Sequence, residues 1–303
     1  MQDHVGSRLQ QYLLLVRLPN VFTTPSNILA GYFATTPLAE ANGLHLVSLM
    51  VSSGLLYIAG IALNDFFDIE TDRKERPSRP LPSGRVPKKH AMAIAIIGMI
   101  VANVIVLTII GPIALALSLA LTATIVAYDY KLKHTIAGPF AMGGTRFLNV
   151  ILGTSPAISF ALLAGVKLQS ETALFAAASL FVYIVSIMLL SKKEVGNEKP
   201  DLLPFYIIFA LTAAIASIGL LLTLPWEFMI SLTMFAIVIS ITFRQYIGDA
   251  SQPTTQKAIR NMIISIIILD SVFVSGTAGL FYGLATLLFV IPAVVLAKKL
   301  YVT

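Results

Sequence analysis

Apolar residues in this chain come in long runs, separated at intervals by short polar stretches, and most runs are long enough to cross a bilayer as a helix of about 20 residues. Residues 8–17, apolar between two arginines, read as an interfacial lead-in to a first span over residues 16–33. A second span covers residues 46–67, and further runs begin near Ala91, Pro112, Pro139, Thr172, Leu203, Glu227, Ile259 and Gly283. Length alone thus predicts about ten helices. The last two are joined so tightly, at Phe281–Gly283, that one long bent helix would give the same pattern. The expected fold class is all-α, a polytopic membrane helical bundle of nine to ten spans, organised as a single domain over residues 1–303 without a soluble linker.

Composition agrees. Hydrophobic residues make up 57% and charged residues 12%, with a mean hydropathy of +0.85, which excludes an ordinary soluble domain. The net charge of +6 is scattered between apolar runs and not gathered in one stripe, so it argues for the positive-inside rule and against a nucleic-acid partner. The basic stretches at 70–89, 131–134, 191–199 and 244–257 fall on one side of the expected topology, together with both termini. That side is expected to be cytoplasmic. Cysteine is absent, which removes disulfides, iron–sulfur ligation and thiol nucleophiles. The N-terminal sequence does not read as a removable signal peptide.

Polar residues inside or at the ends of the spans carry the candidate chemistry. Asn64, Asp68 and Asp72 are spaced i, i+4, i+8, which stacks them on one helix face where a span meets water, with Asp65 just beside them. Carboxylates held so close repel, and a divalent cation, Mg²⁺ above all, relieves this; the plainer alternative is a solvated helix end. The loop that follows is broken by Pro77, Pro80, Pro82 and Pro87 and carries Arg73, Lys74, Arg76, Arg79 and Arg85. A second acidic pair, Glu194 and Glu198, lies between lysines on the same side. Two such clusters interleaved with cations suit a diphosphate bridged by metal. Asn27, deep in the first span, needs a polar partner or ligand. Asp270, near the middle of its span, must be neutral, paired or water-facing, and no role is assigned to it.

The pattern N-D-x-x-D-x-x-x-D at Asn64–Asp72, followed by R-P-x-R-P-L-P-S-G at Arg76–Gly84, resembles the UbiA superfamily of intramembrane prenyltransferases. The likeness continues through Asn27, through YDYKLK from Tyr128 to Lys133, and through GTRFLNVILG, which contains Arg146 and Asn149. Glu194 and Glu198 stand where most members have aspartates, as in a divergent, UbiA-like branch. The family has nine spanning helices, one fewer than the count above.

The resemblance implies Mg²⁺-dependent transfer of a prenyl group from a prenyl diphosphate, geranylgeranyl diphosphate for example, to a lipophilic acceptor within membrane lipid. That acceptor is an aromatic or quinone precursor, or an archaeal-type glycerol phosphate lipid. Metal ligation and catalysis are then expected of Asp65, Asp68, Asp72, Glu194 and Glu198, with Tyr128 also catalytic. Substrate contacts are expected of Asn27, Asn64, Arg76, Arg79, Lys133, Arg146 and Asn149. Phe67, Tyr128 and Phe147 are candidates to face an allylic cation. The competing readings are an isoprenoid-binding protein without turnover and a transporter using intramembrane carboxylates.

Overall fold

The computed structural model describes residues 7–192, 201–249 and 251–301, and among these every regular element is a helix. In chain order they are α1 (Arg8–Leu15), α2 (Leu18–Val21), α3 (Thr23–Phe33), α4 (Gly43–Phe67), α5 (Ile69–Glu75), α6 (Lys88–Ile109), α7 (Pro112–Tyr130), α8 (Gly138–Gly153) and α9 (Ser155–Ala164). There follow α10 (Glu171–Ser191), α11 (Leu203–Leu221), α12 (Glu227–Gly248), α13 (Gln252–Ala278), α14 (Leu280–Thr286) and α15 (Val290–Tyr301).

Eight stretches of the described residues are long and apolar enough to cross a membrane as single spans: α4, α6, α7, α10, α11, α12, α13 and Leu280–Leu300, which joins α14 to α15. The pair α8 and α9, bent by 51° at Thr154, passes the same test together, so the described residues hold eight spans, or nine if this bent pair is one. Of the expected nine to ten, the one that does not form lies at the start of the chain. Residues 16–33 are not one helix. Arg17 takes a left-handed conformation (φ 46°), α2 lasts one turn, and α3 has 11 residues, about 16 Å of helix against a hydrocarbon core of about 30 Å. Pro19 and Pro25 sit at the starts of these two pieces, where a missing N–H is tolerated. The last two spans are distinct, and they part at Gly279 (φ 92°), one residue before α14 and slightly earlier than the expected turn.

Helix α3 is embedded in the bundle, with Thr23, Thr24, Ser26, Asn27, Ile28 and Ala30 all buried. Two glycines allow it to lie against α8. A Cβ on Gly31 would stand 1.9 Å from the Val150 carbonyl oxygen, and one on Gly153 would stand 2.6 Å from that of Ile28. Such backbone contact between helices is the role small residues play in membrane bundles. It sets Thr23 and Asn27 beside Arg146 and Asn149. Helix α13 packs on the other side of α3 and on α10 and α12, and it is buried along most of its length. Outward faces carry large apolar groups instead, Ile97, Ile100 and Leu107 on α6 among them, as lipid contact requires.

The segment after α4 folds back under the bundle. Leu81 and Val86 are buried with Leu15, Ile69 and Ala91 in a small apolar cluster, and Gly84 (φ 75°) makes the turn. That cluster anchors the proline-rich loop, so its arginines return to the carboxylates of α4 and α5.

Candidate functional site

The acidic file survives a break in its helix. Helix α4 ends at Phe67, and Asp68 caps both α4 and α5. Yet the i to i−4 bonds run through: Asp68 N to Asn64 O at 3.0 Å, Asp72 N to Asp68 O at 2.8 Å, and Arg76 N to Asp72 O at 2.8 Å. Asn64, Asp68 and Asp72 therefore stay on one face, and all three line one cavity of about 620 Å³.

Cations answer each carboxylate. Lys133 Nζ lies 2.6 Å from Asp68, with His134 Nε2 at 3.8 Å. Arg79 Nη1 lies 2.7 Å from Asp72 and 3.8 Å from Asp65. Asp65, only 3% exposed, also accepts from Arg17 Nη2 at 3.0 Å. It stands behind the wall and fastens Arg17 and Arg79. Helix α7 brings Tyr128 and Asp129 to the same wall, and Asn64 Nδ2 donates to Asp129 Oδ1 at 3.0 Å. Arg76, Arg79 and Lys133 line the cavity too.

Further in, Arg146 and Asn149 of α8 form the wall with Ser53, Tyr57 and Thr24. Arg146 donates to Asn27 Oδ1 at 3.1 Å and to Thr23 Oγ1 at 3.2 Å, and its guanidinium lies 5.5 Å from the centre of the Tyr57 ring. Asn149 accepts from Ser53 Oγ at 2.7 Å and donates to the Thr24 carbonyl at 3.1 Å. Asn27 is fully buried and reaches the cavity only through Arg146 and Asn149. Apolar residues complete the interior, among them Leu56, Ile61, Leu121, Ile125, Ile184 and Ile266. One end is therefore charged, and the body is suited to hydrocarbon.

Several expectations change. Phe67 and Phe147 lie off the cavity wall: Phe67 packs on Phe66 and Tyr130, and Phe147 packs against the core. Each follows or precedes a wall residue by one, and successive helical positions point about 100° apart. Tyr57 and Tyr128 are the aromatic rings that do face the cavity. Glu194 and Glu198 lie outside the described residues; Ser191, three positions before Glu194, lines the cavity. Arg17, Asn20, Ser53, Tyr57, Thr71, Glu75 and Asp129 line it without having been singled out from sequence. Asp129 sits inside the quoted YDYKLK run, and Tyr57 lies seven residues before Asn64, two signals that could have found them.

Among the described residues no three acidic or histidine side chains gather closely enough to hold a metal ion by themselves. The donors facing the cavity, Asp68, Asp72, Asp129 and Asn64, nevertheless offer carboxylate and amide oxygen, which suits a hard divalent cation.

A family model described as the UbiA prenyltransferase family matches residues 25–267. The chain is 28% identical over 147 residues to the digeranylgeranylglyceryl phosphate synthase of Saccharolobus solfataricus, a match spanning 48% of this chain and about half (51%) of that relative. It is 29% identical over 264 residues to the synthase of the same name from Methanothrix thermoacetophila, covering 79% of this chain and 90% of the relative. Among solved structures, a UbiA homologue from Aeropyrum pernix K1 without ligand superposes with a TM-score of 0.65 at 16% identity, covering 84% of this chain and 96% of that one. A UbiA homologue from Archaeoglobus fulgidus, bound to GPP and Mg²⁺, superposes with a TM-score of 0.54 at 15% identity, covering 91% and 99%. At these identities the structural likeness is one of fold. The family match over residues 25–267, on a bundle with eight or nine apolar spans among the described residues, means that this chain belongs to the UbiA prenyltransferase family and is an integral membrane prenyltransferase.

Proposed function

We propose that this protein transfers an isoprenoid group from a prenyl diphosphate to the hydroxyl of a glycerol phosphate lipid, with Mg²⁺ as cofactor. The observation that carries this reading is one cavity in which Asp68, Asp72, Arg76, Arg79 and Lys133 meet and which aliphatic side chains line further in, beside Arg146 and Asn149. The acceptor class is supported by the digeranylgeranylglyceryl phosphate synthases among its relatives.

Asp68 and Asp72 are the metal-holding carboxylates of this proposal, with Glu194 and Glu198 as the second half of the set, while Asp65 orients Arg17 and Arg79. Bound Mg²⁺ supplies positive charge that offsets the negative charge building on a departing diphosphate. The chain's own cations do the remainder. Arg76, Arg79 and Lys133 donate charge-assisted hydrogen bonds to phosphate oxygens, and these strengthen as the carbon–oxygen bond lengthens. Asn64 and Asn149 are neutral donors on the same wall. Tyr57 and Tyr128 line the space where an allylic cation would form, and the aliphatic lining keeps water from it. Both termini and the charged cavity mouth face the cytoplasm in this reading, because the basic loops cluster on that side.

Purified protein with Mg²⁺, geranylgeranyl diphosphate and a geranylgeranylated glycerol phosphate should yield the doubly prenylated lipid by mass spectrometry. Product with an aromatic acid acceptor and none with the glycerol phosphate would replace the acceptor assignment.

A further inference from the structure

Asp270 lies within α13, is fully buried and does not line the cavity. Its Oδ2 accepts from Ser26 Oγ at 2.5 Å and from Asn27 Nδ2 at 2.7 Å. The second bond fixes which way the Asn27 amide points. With its NH₂ on Asp270, its oxygen must face α8, where it accepts from Arg146 Nη1 at 3.1 Å and Asn149 Nδ2 at 3.3 Å. The reversed amide would set NH₂ against the Arg146 guanidinium and the Asn149 amide, and oxygen against the Asp270 carboxyl, losing three hydrogen bonds.

Arg146 makes no ion pair among the described residues: its polar contacts are the neutral oxygens of Asn27 and Thr23, and Asp270 lies one amide beyond. The Asn27 amide thus holds the guanidinium from behind while Arg146 still lines the cavity.

We infer that Asp270 is a positioning residue, which acts through Asn27 to hold Arg146 and Asn149 against the cavity and so sets the affinity of that wall for the anionic part of the substrate. The hydrogen-bond relay stands on geometry alone; the link to an anion rests on the function proposed above.

The test labels arginines of the purified, detergent-solubilised protein with phenylglyoxal and reads the Arg146 adduct by mass spectrometry. In Asp270→Leu, which leaves Asn27 Nδ2 without its acceptor, Arg146 should be modified about tenfold faster than in wild type, the equivalent of one lost hydrogen bond. Asn27→Leu should do the same, and the Asn27→Leu/Asp270→Leu pair should be no faster than Asn27→Leu alone. The exchange Asn27→Asp with Asp270→Asn keeps one carboxyl in the relay and moves it onto Arg146, so it should give slow labelling, which a general loosening of the bundle would not. Unchanged Arg146 labelling in Asp270→Leu, or additive effects in the pair, would overturn the relay. Mg²⁺ with inorganic pyrophosphate should protect Arg146 in wild type. Labelling that obeys the relay without such protection would keep the positioning role and remove its link to the diphosphate.

Discussion

Gly31→Ala is the most severe test of how this bundle builds its site. The added Cβ would stand 1.9 Å from the Val150 carbonyl oxygen, where ordinary contact begins at 3.4 Å, and the obstacle is backbone. Helices α3 and α8 must then separate by about 1.5 Å, a strain that overpacked cores typically register as about 1–3 kcal/mol. Gly54→Ala is the control: its Cβ would meet Val21 Cγ1 at 3.6 Å, an ordinary contact. Both glycines lie in helices, so the gain of about 1 kcal/mol in helix propensity cancels between the two variants. Gly31→Ala should therefore show the lower apparent melting temperature. Its activity should fall as well. The bond from Arg146 to Asn27, now 3.1 Å, would be stretched past hydrogen-bonding range, and its loss should lower kcat/KM for the prenyl diphosphate about tenfold. Melting curves and initial rates of the two variants decide the matter. If Gly31→Ala melted with Gly54→Ala or above it, the close crossing of α3 and α8 would not be what sets Asn27 against Arg146.

Gly60→Leu should shorten the donor the enzyme accepts. Gly60 lines the cavity, and even a Cβ there would come within 2.9 Å of Ile125 Cγ2, so turnover of geranylgeranyl diphosphate should fall relative to geranyl diphosphate in a competition assay. Asp65→Ala should weaken the fold more than Asp68→Ala. Asp65 is buried, and its loss removes the 3.0 Å pair with Arg17 and the 3.8 Å contact with Arg79, a cost of about 1–3 kcal/mol, and thermal melting of the two variants reports the order. Asp68→Ala should abolish diphosphate release at any Mg²⁺ concentration. Lys133→Ala should instead raise KM for the prenyl diphosphate, because it frees Asp68 while removing a phosphate contact.

Much of the site was legible because helical spacing is. Asn64, Asp68 and Asp72 share a wall, as i, i+4, i+8 requires, and the pattern holds across the break at Asp68 because the backbone bonds bridge it. The proline-rich loop could be read as irregular, whereas its return to Asp65 and Asp72 depends on Leu81 and Val86 packing under α1, a tertiary contact without local signature. Length and hydropathy overcounted the first span for a related reason. They do not register a left-handed Arg17, and the Asn27 amide at the heart of α3 is satisfied by α8 and α13. Arg17 itself went unnoticed as a site residue because an arginine before an apolar run reads as an ordinary interfacial charge.

The central claim is that one diphosphate is gripped from both acidic stretches of the chain. The direct measurement is anomalous scattering from Mn²⁺ in crystals grown with a non-hydrolysable geranylgeranyl diphosphate analogue. The account predicts metal peaks within about 2.2 Å of carboxylate oxygens of Asp68 or Asp72 and of Glu194 or Glu198, with the diphosphate between them. Metal bound at one stretch alone, or a diphosphate seated away from Asp68 and Lys133, would contradict it.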